Sequence, residues 1–174
     1  MLISELKKTI REVPDFPKPG INFYDLSTLF RDPKAYRVAV DKMVERFEGD
    51  RLDAVAGIEA RGFILASAMA YSLGVGLIMV RKAGKLPAAT VSQSYALEYG
   101  EATIEVHRDA VESGQRVAVI DDLLATGGTA RATGKLLESL GAKVDGYGFL
   151  VGLKFLGGRE KLNSSAVFTL MEYE

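Results

Sequence analysis

The chain of 174 residues sets 22 Lys and Arg against 23 Asp and Glu, and a formal net charge of −1 removes the electrostatic case for binding nucleic acid or a membrane surface. Zero cysteines exclude disulfides, thiolate metal sites and a cysteine nucleophile, and one histidine argues against a histidine metal site or a Ser-His-Asp triad. An apolar content of 48% over this length suits a single domain, 1–174, with a proper core.

The first segment, MLISELKKTIREV, places Ile3, Leu6, Ile10 and Val13 at helical spacing and predicts an amphipathic helix. It lacks the apolar centre of a signal peptide, and no apolar run approaches a membrane span, so a soluble, cytoplasmic protein is expected. PDFPKPGINF follows, with Pro14, Pro17 and Pro19 before Gly20, a composition that makes a rigid, shaped loop. Arg31 to Gly49 reads as a helix with Tyr36, Val40, Met43, Val44 and Phe47 on one face. Ala54 to Ile58 is a buried strand. Glu59-Ala60-Arg61-Gly62 then opens a helix that runs through Ser72.

Val75 to Val80 is a second apolar strand, and Arg81 to Ser94 reads as a polar loop long enough to be a mobile lid. Ala102 to Val106 alternates like a strand with one wet face, which puts His107 at the surface. Val117 to Ile120 is a buried strand leading into Asp121 and Asp122, and Thr129 to Leu140 is its following helix, ended by Gly141. Lys143 to Val151 and Ala166 to Met171 complete the strands. Continuous apolar strands alternating with helices predict an α/β fold, a central parallel sheet flanked by helices. Ligands of such sheets bind at the carboxyl ends of the strands. Three polar segments fall there: Glu59-Ala60-Arg61-Gly62, Arg81-Lys82, and the acidic pair with its glycine loop.

VAVIDDLLATGGT, Val117 to Thr129, carries the most chemistry. A helix start gathers unpaired N–H groups and about half a positive charge, and so binds phosphate. Gly127 and Gly128 let backbone approach the anion, and the hydroxyls of Thr126 and Thr129 add donors. Two carboxylates beside such a cradle would repel phosphate, so they need another partner: the vicinal hydroxyls of a sugar, or a divalent cation. The parts together describe a sugar-phosphate site. The string is not a Walker A loop, because Leu136 stands where Ser or Thr is needed, and no GxGxxG follows a predicted strand.

DDLLATGGT resembles the phosphoribosyl-diphosphate binding motif of the type I phosphoribosyltransferases. Three more segments stand in that family's order: EARGF from Glu59, RKAGKLP from Arg81, and SYALEYG from Ser94. The resemblance runs from about Leu6 to Tyr173 and implies the type I phosphoribosyltransferase fold, with a small hood contributed by about 1–32. It implies transfer of phosphoribose from 5-phosphoribosyl 1-diphosphate to a purine, adenine being the base expected. A 6-oxopurine, xanthine or hypoxanthine, is the alternative, and a phosphoribosyl-diphosphate-sensing regulator is a more distant one.

The same resemblance assigns roles. Asp121 and Asp122 would engage the ribose hydroxyls or their metal, and Ala125, Thr126, Gly127, Gly128 and Thr129 would cradle the 5-phosphate. Glu59 and Ala60, through a strained peptide between them, and Arg81, Lys82 and Lys85 would contact diphosphate. Asn22 (through its backbone) and Phe23 would hold the base, with Arg61 reaching toward it. Hypoxanthine-type relatives carry Asp where this chain has Ala125, so the carboxylate that accepts the purine's ring proton is assigned to Glu98, and Tyr99 would close over the site. The family commonly has Arg at the position of Tyr24. Mg2+ is expected as a clamp on diphosphate, held by substrate oxygens and water, with no direct protein ligand unless Asp121 or Asp122. A homodimer is implied as well.

Overall fold

The apolar runs pair into one seven-stranded sheet in the computed structural model, which describes residues 1–97, 100–162 and 166–174. The chain divides into two compact units, Met1–Lys42 and Met43–Glu174.

In the first unit, α1 (Ile3–Lys7) is short, and the chain then turns into β1 (Arg11–Val13), which pairs antiparallel with β2 (Phe23–Asp25). The helix predicted through Val13 therefore stops early. The spacing of Ile10 and Val13 is helical by coincidence: Glu12 and Val13 stand opposite Tyr24 and Phe23 in a ladder, and pairing overrides periodicity. The proline-rich segment between these strands is a shaped loop, as its composition predicts. The Phe16–Pro17 peptide is cis, the Phe16 N–H donates to the carbonyl of Ile21, and the Gly20 N–H donates to Asp15 Oδ1 at 2.7 Å. Helix α2 (Ser27–Arg31) follows, and α3 (Pro33–Phe47) corresponds to the helix read over 31–49. Asp32 accepts from the N–H groups of Lys34 and Ala35 and so caps α3.

The second unit holds the sheet. Its strands are β3 (Ala54–Ile58), β4 (Gly76–Lys82), β5 (Thr90–Ala96), β6 (Glu101–His107), β7 (Arg116–Leu124), β8 (Lys143–Leu153) and β9 (Val167–Tyr173), in the order β5-β6-β4-β3-β7-β8-β9. β4, β3, β7, β8 and β9 run parallel, and β6 and β5 add an antiparallel edge. Helix α4 (Gly62–Leu73) packs on β3 and β7, and α5 (Gly128–Ser139) packs on β5 and β8. β3 is buried along its whole length, and Val117 to Ile120 of β7 are fully enclosed, as continuous apolar runs require. No helix among the described residues is long and apolar enough to cross a membrane.

Three further expectations change. The segment read as a polar loop over 81–94 contains strand: β4 runs to Lys82, and β5 begins at Thr90 and pairs with β6 along its full length. Thr90 to Ala96 is a half-exposed edge strand, so its polar residues conceal it. Only 83–89 remains as loop. β7 extends through Leu124, so Asp121 and Asp122 belong to the strand and not to the turn after it. His107 is partly buried, its Nε2 enclosed without a hydrogen-bond partner, where a surface position was expected.

Candidate active site

Three parallel strands bring charge to one edge. Glu59 directly follows β3, Arg81 and Lys82 end β4, and Asp121 and Asp122 lie near the end of β7, which closes at Leu124. The sequence expectation for these three segments is met by the sheet itself, since parallel neighbours end together.

The acidic pair is desolvated. Burial, and then the charge of Asp122, pushes the Asp121 carboxyl well above its ordinary value of 3.8. Burial raises Asp122 as well, against the opposing charge of Arg61. Arg61 Nε lies 2.6 Å from Asp122 Oδ2, but the N–H is not aligned on that oxygen, so the contact is an ion pair without a hydrogen bond. Asp121 Oδ1 accepts the Asp122 N–H at 2.8 Å. α4 begins against this pair: a Cβ on Gly62 would stand 2.8 Å from Asp121 Oδ1 and 3.0 Å from the Ile120 carbonyl oxygen. Its N-terminal N–H groups thus add positive potential beside two carboxylates that share one guanidinium. Arg61, expected to reach toward a purine, is here bound to Asp122. Its assignment as a base contact is not what this geometry displays.

The cradle follows directly. Gly127 takes φ +77 as the residue before α5, and Asp121, Phe149 and the backbone of 123–130 line a cleft of about 80 Å³ there. Ala125, Thr126, Gly127, Gly128 and Thr129 all border it. The Thr129 hydroxyl donates to the Tyr95 hydroxyl at 3.0 Å, which ties the cradle to β5. A Cβ on Gly128 would meet Tyr95 Cδ2 at 3.5 Å and the Thr126 hydroxyl oxygen at 3.9 Å, ordinary contacts that relieve no clash.

Two residues that the sequence reading did not single out hold these parts in place. Gly158, the first residue of α6 (Gly158–Lys161), backs the cradle: a Cβ on it would lie 2.2 Å from the Ala125 carbonyl oxygen, and a Cβ on Gly127 would lie 2.5 Å from the Gly158 carbonyl oxygen. Only bare backbone fits on both sides. The Gly157-Gly158 pair was the available signal. Glu105, buried on β6, accepts the N–H groups of Lys85 at 3.1 Å and Leu86 at 3.0 Å and so pins the loop that carries Lys85. Those backbone donors, Leu86 foremost, hold its carboxyl below the usual range.

The cations of that loop meet Glu59. Lys85 Nζ lies 2.8 Å and Arg81 Nε 3.3 Å from its carboxylate, and the Lys82 N–H donates to it at 2.9 Å. Lys85 above all, helped by the Lys82 N–H and Arg81, holds Glu59 at about 2. One internal carboxylate occupies two of the three cations assigned to an anion. The Lys82 side chain is exposed and makes no ion pair among the described residues. The Glu59–Ala60 peptide, singled out in the sequence, is cis. In the first unit, Phe23 packs edge-on against Phe16 with centroids 5.2 Å apart, and the Asn22 side chain donates to Glu12 Oε2 at 2.8 Å. Glu98 and Tyr99 lie outside the described residues. No group of three or more His, Asp or Glu that could hold a metal occurs among the described residues.

A cleft bordered by two glycines at a helix start, a desolvated acid pair and a cation loop stand at one edge of a mostly parallel sheet. The phosphoribosyl transferase domain model matches residues 25–155, and the chain belongs to that family. The adenine phosphoribosyltransferase of Desulfitobacterium hafniense is 54% identical over 169 residues, which is 97% of this chain and 98% of that one. The crystal structure of the adenine phosphoribosyltransferase of Thermoanaerobacter pseudethanolicus superposes with a TM-score of 0.96 at 49% identity, over 99% and 100% of the two chains. That of Saccharomyces cerevisiae, complexed with an imino-altritol bisphosphate and adenine, gives 0.91 at 41%, over 97% of each. Within the family, the chain belongs with the adenine phosphoribosyltransferases.

Two outcomes are expected. Because the folded-state pKa of Asp121 is raised, the unfolded chain loses this proton first, and stability falls as pH rises above 3.8. Asp121→Asn should therefore raise the urea midpoint of unfolding at pH 8 and leave it unchanged below pH 3.8. Gly158→Ala should push the Ala125 carbonyl aside and weaken calorimetric binding of ribose 5-phosphate by roughly ten- to a hundredfold. An unchanged affinity would show that the backing contact does not shape the cradle.

Proposed function

We propose that this chain transfers phosphoribose from 5-phosphoribosyl 1-diphosphate to adenine, releasing AMP and diphosphate, as a purine-salvage enzyme. The observation that carries the reading is the junction of β7 and α5, where the acid pair and the cradle adjoin. The 5-phosphate would lie in the cleft bordered by Ala125 to Thr129, on the N–H groups that open α5. Asp121 and Asp122 would take the ribose hydroxyls, or a cation bridging to them.

In the reaction, N9 of adenine attacks C1 of the ribose, the bond from C1 to the diphosphate oxygen breaks, and the N9 proton passes to an acceptor. Glu98 is assigned as that acceptor and Tyr99 as cover over the site, on the family resemblance. Arg81, Lys82 and Lys85, with backbone at Glu59 and Ala60, would receive the diphosphate. Arg81 and Lys85 must then exchange the Glu59 carboxylate for the leaving group, and preformed cations of this kind stabilise charge that develops in the transition state. Asn22, Phe23 and Arg61 are assigned to the base. Arg61 would have to leave Asp122 to reach it.

Mg2+ fits the acid pair on chemical grounds: two desolvated carboxylates balanced by one guanidinium have charge to spare for a cation. When bound, it would neutralise diphosphate and would be held mainly by substrate oxygens and water. A homodimer is supported by apolar side chains left in the open: Ile64 and Tyr71 seven residues apart on α4, the latter 90% exposed, and Leu77 and Met79 on one side of β4. The sequence's lack of a signal-peptide pattern supports a cytoplasmic location, its length supports a single functional domain, and the family resemblance adds a hood from about 1–32.

The test is diphosphate release from phosphoribosyl diphosphate and magnesium, with adenine, hypoxanthine, guanine and xanthine offered separately. Release with adenine alone is expected. Release only with a 6-oxopurine would overturn the base assignment, and release with none of the four would remove the enzymatic reading.

A further inference from the structure

Helix α5 carries its charge the wrong way round. Its first turn has no acidic residue and its last turn no basic one, while Arg131 stands in the N-terminal third, Lys135 one turn further along in the middle of the helix, and Glu138 at the other end. Cations at the positive end of a helix are destabilising, and two of them at i and i+4 repel each other besides. Neither side chain has a carboxylate partner among the described residues, and both are exposed. Stability alone would not select this arrangement.

The two side chains line a groove of about 340 Å³, and Lys161 of α6 adds a third cation that likewise lacks a carboxylate partner. Gln93 to Ala96 of β5 form the opposite wall. Gly128 borders both this groove and the 5-phosphate cleft, yet the cleft is lined by none of the three cations. Tyr95 belongs to the groove and hydrogen-bonds Thr129 of the cradle. The groove is therefore separate from the cleft and shares one wall with it.

We propose that this groove is a second anion site, taking a linear chain of phosphates, either free or as the tail of a nucleoside triphosphate. Three cations drawn from two helices carry more positive charge than a single phosphate neutralises, and a run of successive phosphates matches it. Occupancy would offset the repulsion along α5 and, through Tyr95, bear on the position of Thr129. The site would thus sense an oligophosphate beside the substrate pocket.

Calorimetry on the full chain tests this with inorganic tripolyphosphate and, in a parallel arm, ATP, each with and without saturating AMP. Only the AMP arms rest on the activity proposed above, and AMP binding measured alone tests that activity separately. Tripolyphosphate should bind with AMP in place, and Arg131→Ala with Lys135→Ala should weaken it about tenfold for each cation removed. Lys161→Ala, on a different helix, should weaken it as well, and unchanged melting curves would show these exposed substitutions to be harmless to the fold. Equal binding of both probes would assign the site to a bare phosphate chain, and tighter ATP to a nucleotide. Binding abolished by AMP, or indifferent to all three substitutions, would overturn the proposal and leave the cations as mere steering charge for the substrate.

Discussion

Two carboxylates that share one guanidinium set the terms for the whole carboxyl edge of the sheet. Asp121 and Asp122 sit in a strand whose preceding residues are fully buried, and α4 closes on them so tightly that Gly62 has no room for a side chain. Water, which would ordinarily solvate such charge, is largely displaced. What remains is Arg61, the start of α4, and whatever ligand the site accepts. The pair is costly to the fold and useful to the reaction, as is common where a site holds charge for a substrate.

The same economy governs the other sign. Arg81 and Lys85, the cations assigned to the diphosphate, are both paired with Glu59. A diphosphate would have to displace that carboxylate, an exchange of one anion for another at the same two cations. Glu105 and Gly158 stand behind these groups: one fixes the loop by its backbone N–H groups, the other lets two stretches of backbone touch. Neither faces the reacting atoms. Each determines where those that do will lie.

Much of this was legible in the sequence, and the reason is local. Phosphate recognition at a helix start needs contiguous backbone, so Asp121 to Thr129 appears as one string, and the cation segment from Arg81 to Lys85 does too. Buried parallel strands announce themselves as unbroken apolar runs. What was hidden depends on partners distant in sequence. Glu105 was read as one polar tooth of an alternating strand, because nothing nearby says that the N–H groups of Lys85 and Leu86 will converge on it. Gly158 lies 31 positions after Gly127, and Arg61 gives no local sign of its hold on Asp122. The N-terminal helix was overread for the converse reason, since Ile10 and Val13 keep helical spacing in a segment that pairs as strand.

The account stands on the junction of β7 and α5 as the place where the sugar phosphate binds. Its most direct test is calorimetric titration of phosphoribosyl diphosphate with magnesium into the wild-type chain and into Gly128→Val. Gly128 has ordinary room for a Cβ, so the variant should fold, while the added methyl groups crowd a residue that borders the cleft beside the Thr126 hydroxyl. Measurable binding to the wild type and none to a folded variant is the predicted result. Wild-type affinity in the variant would contradict it and move the phosphate elsewhere.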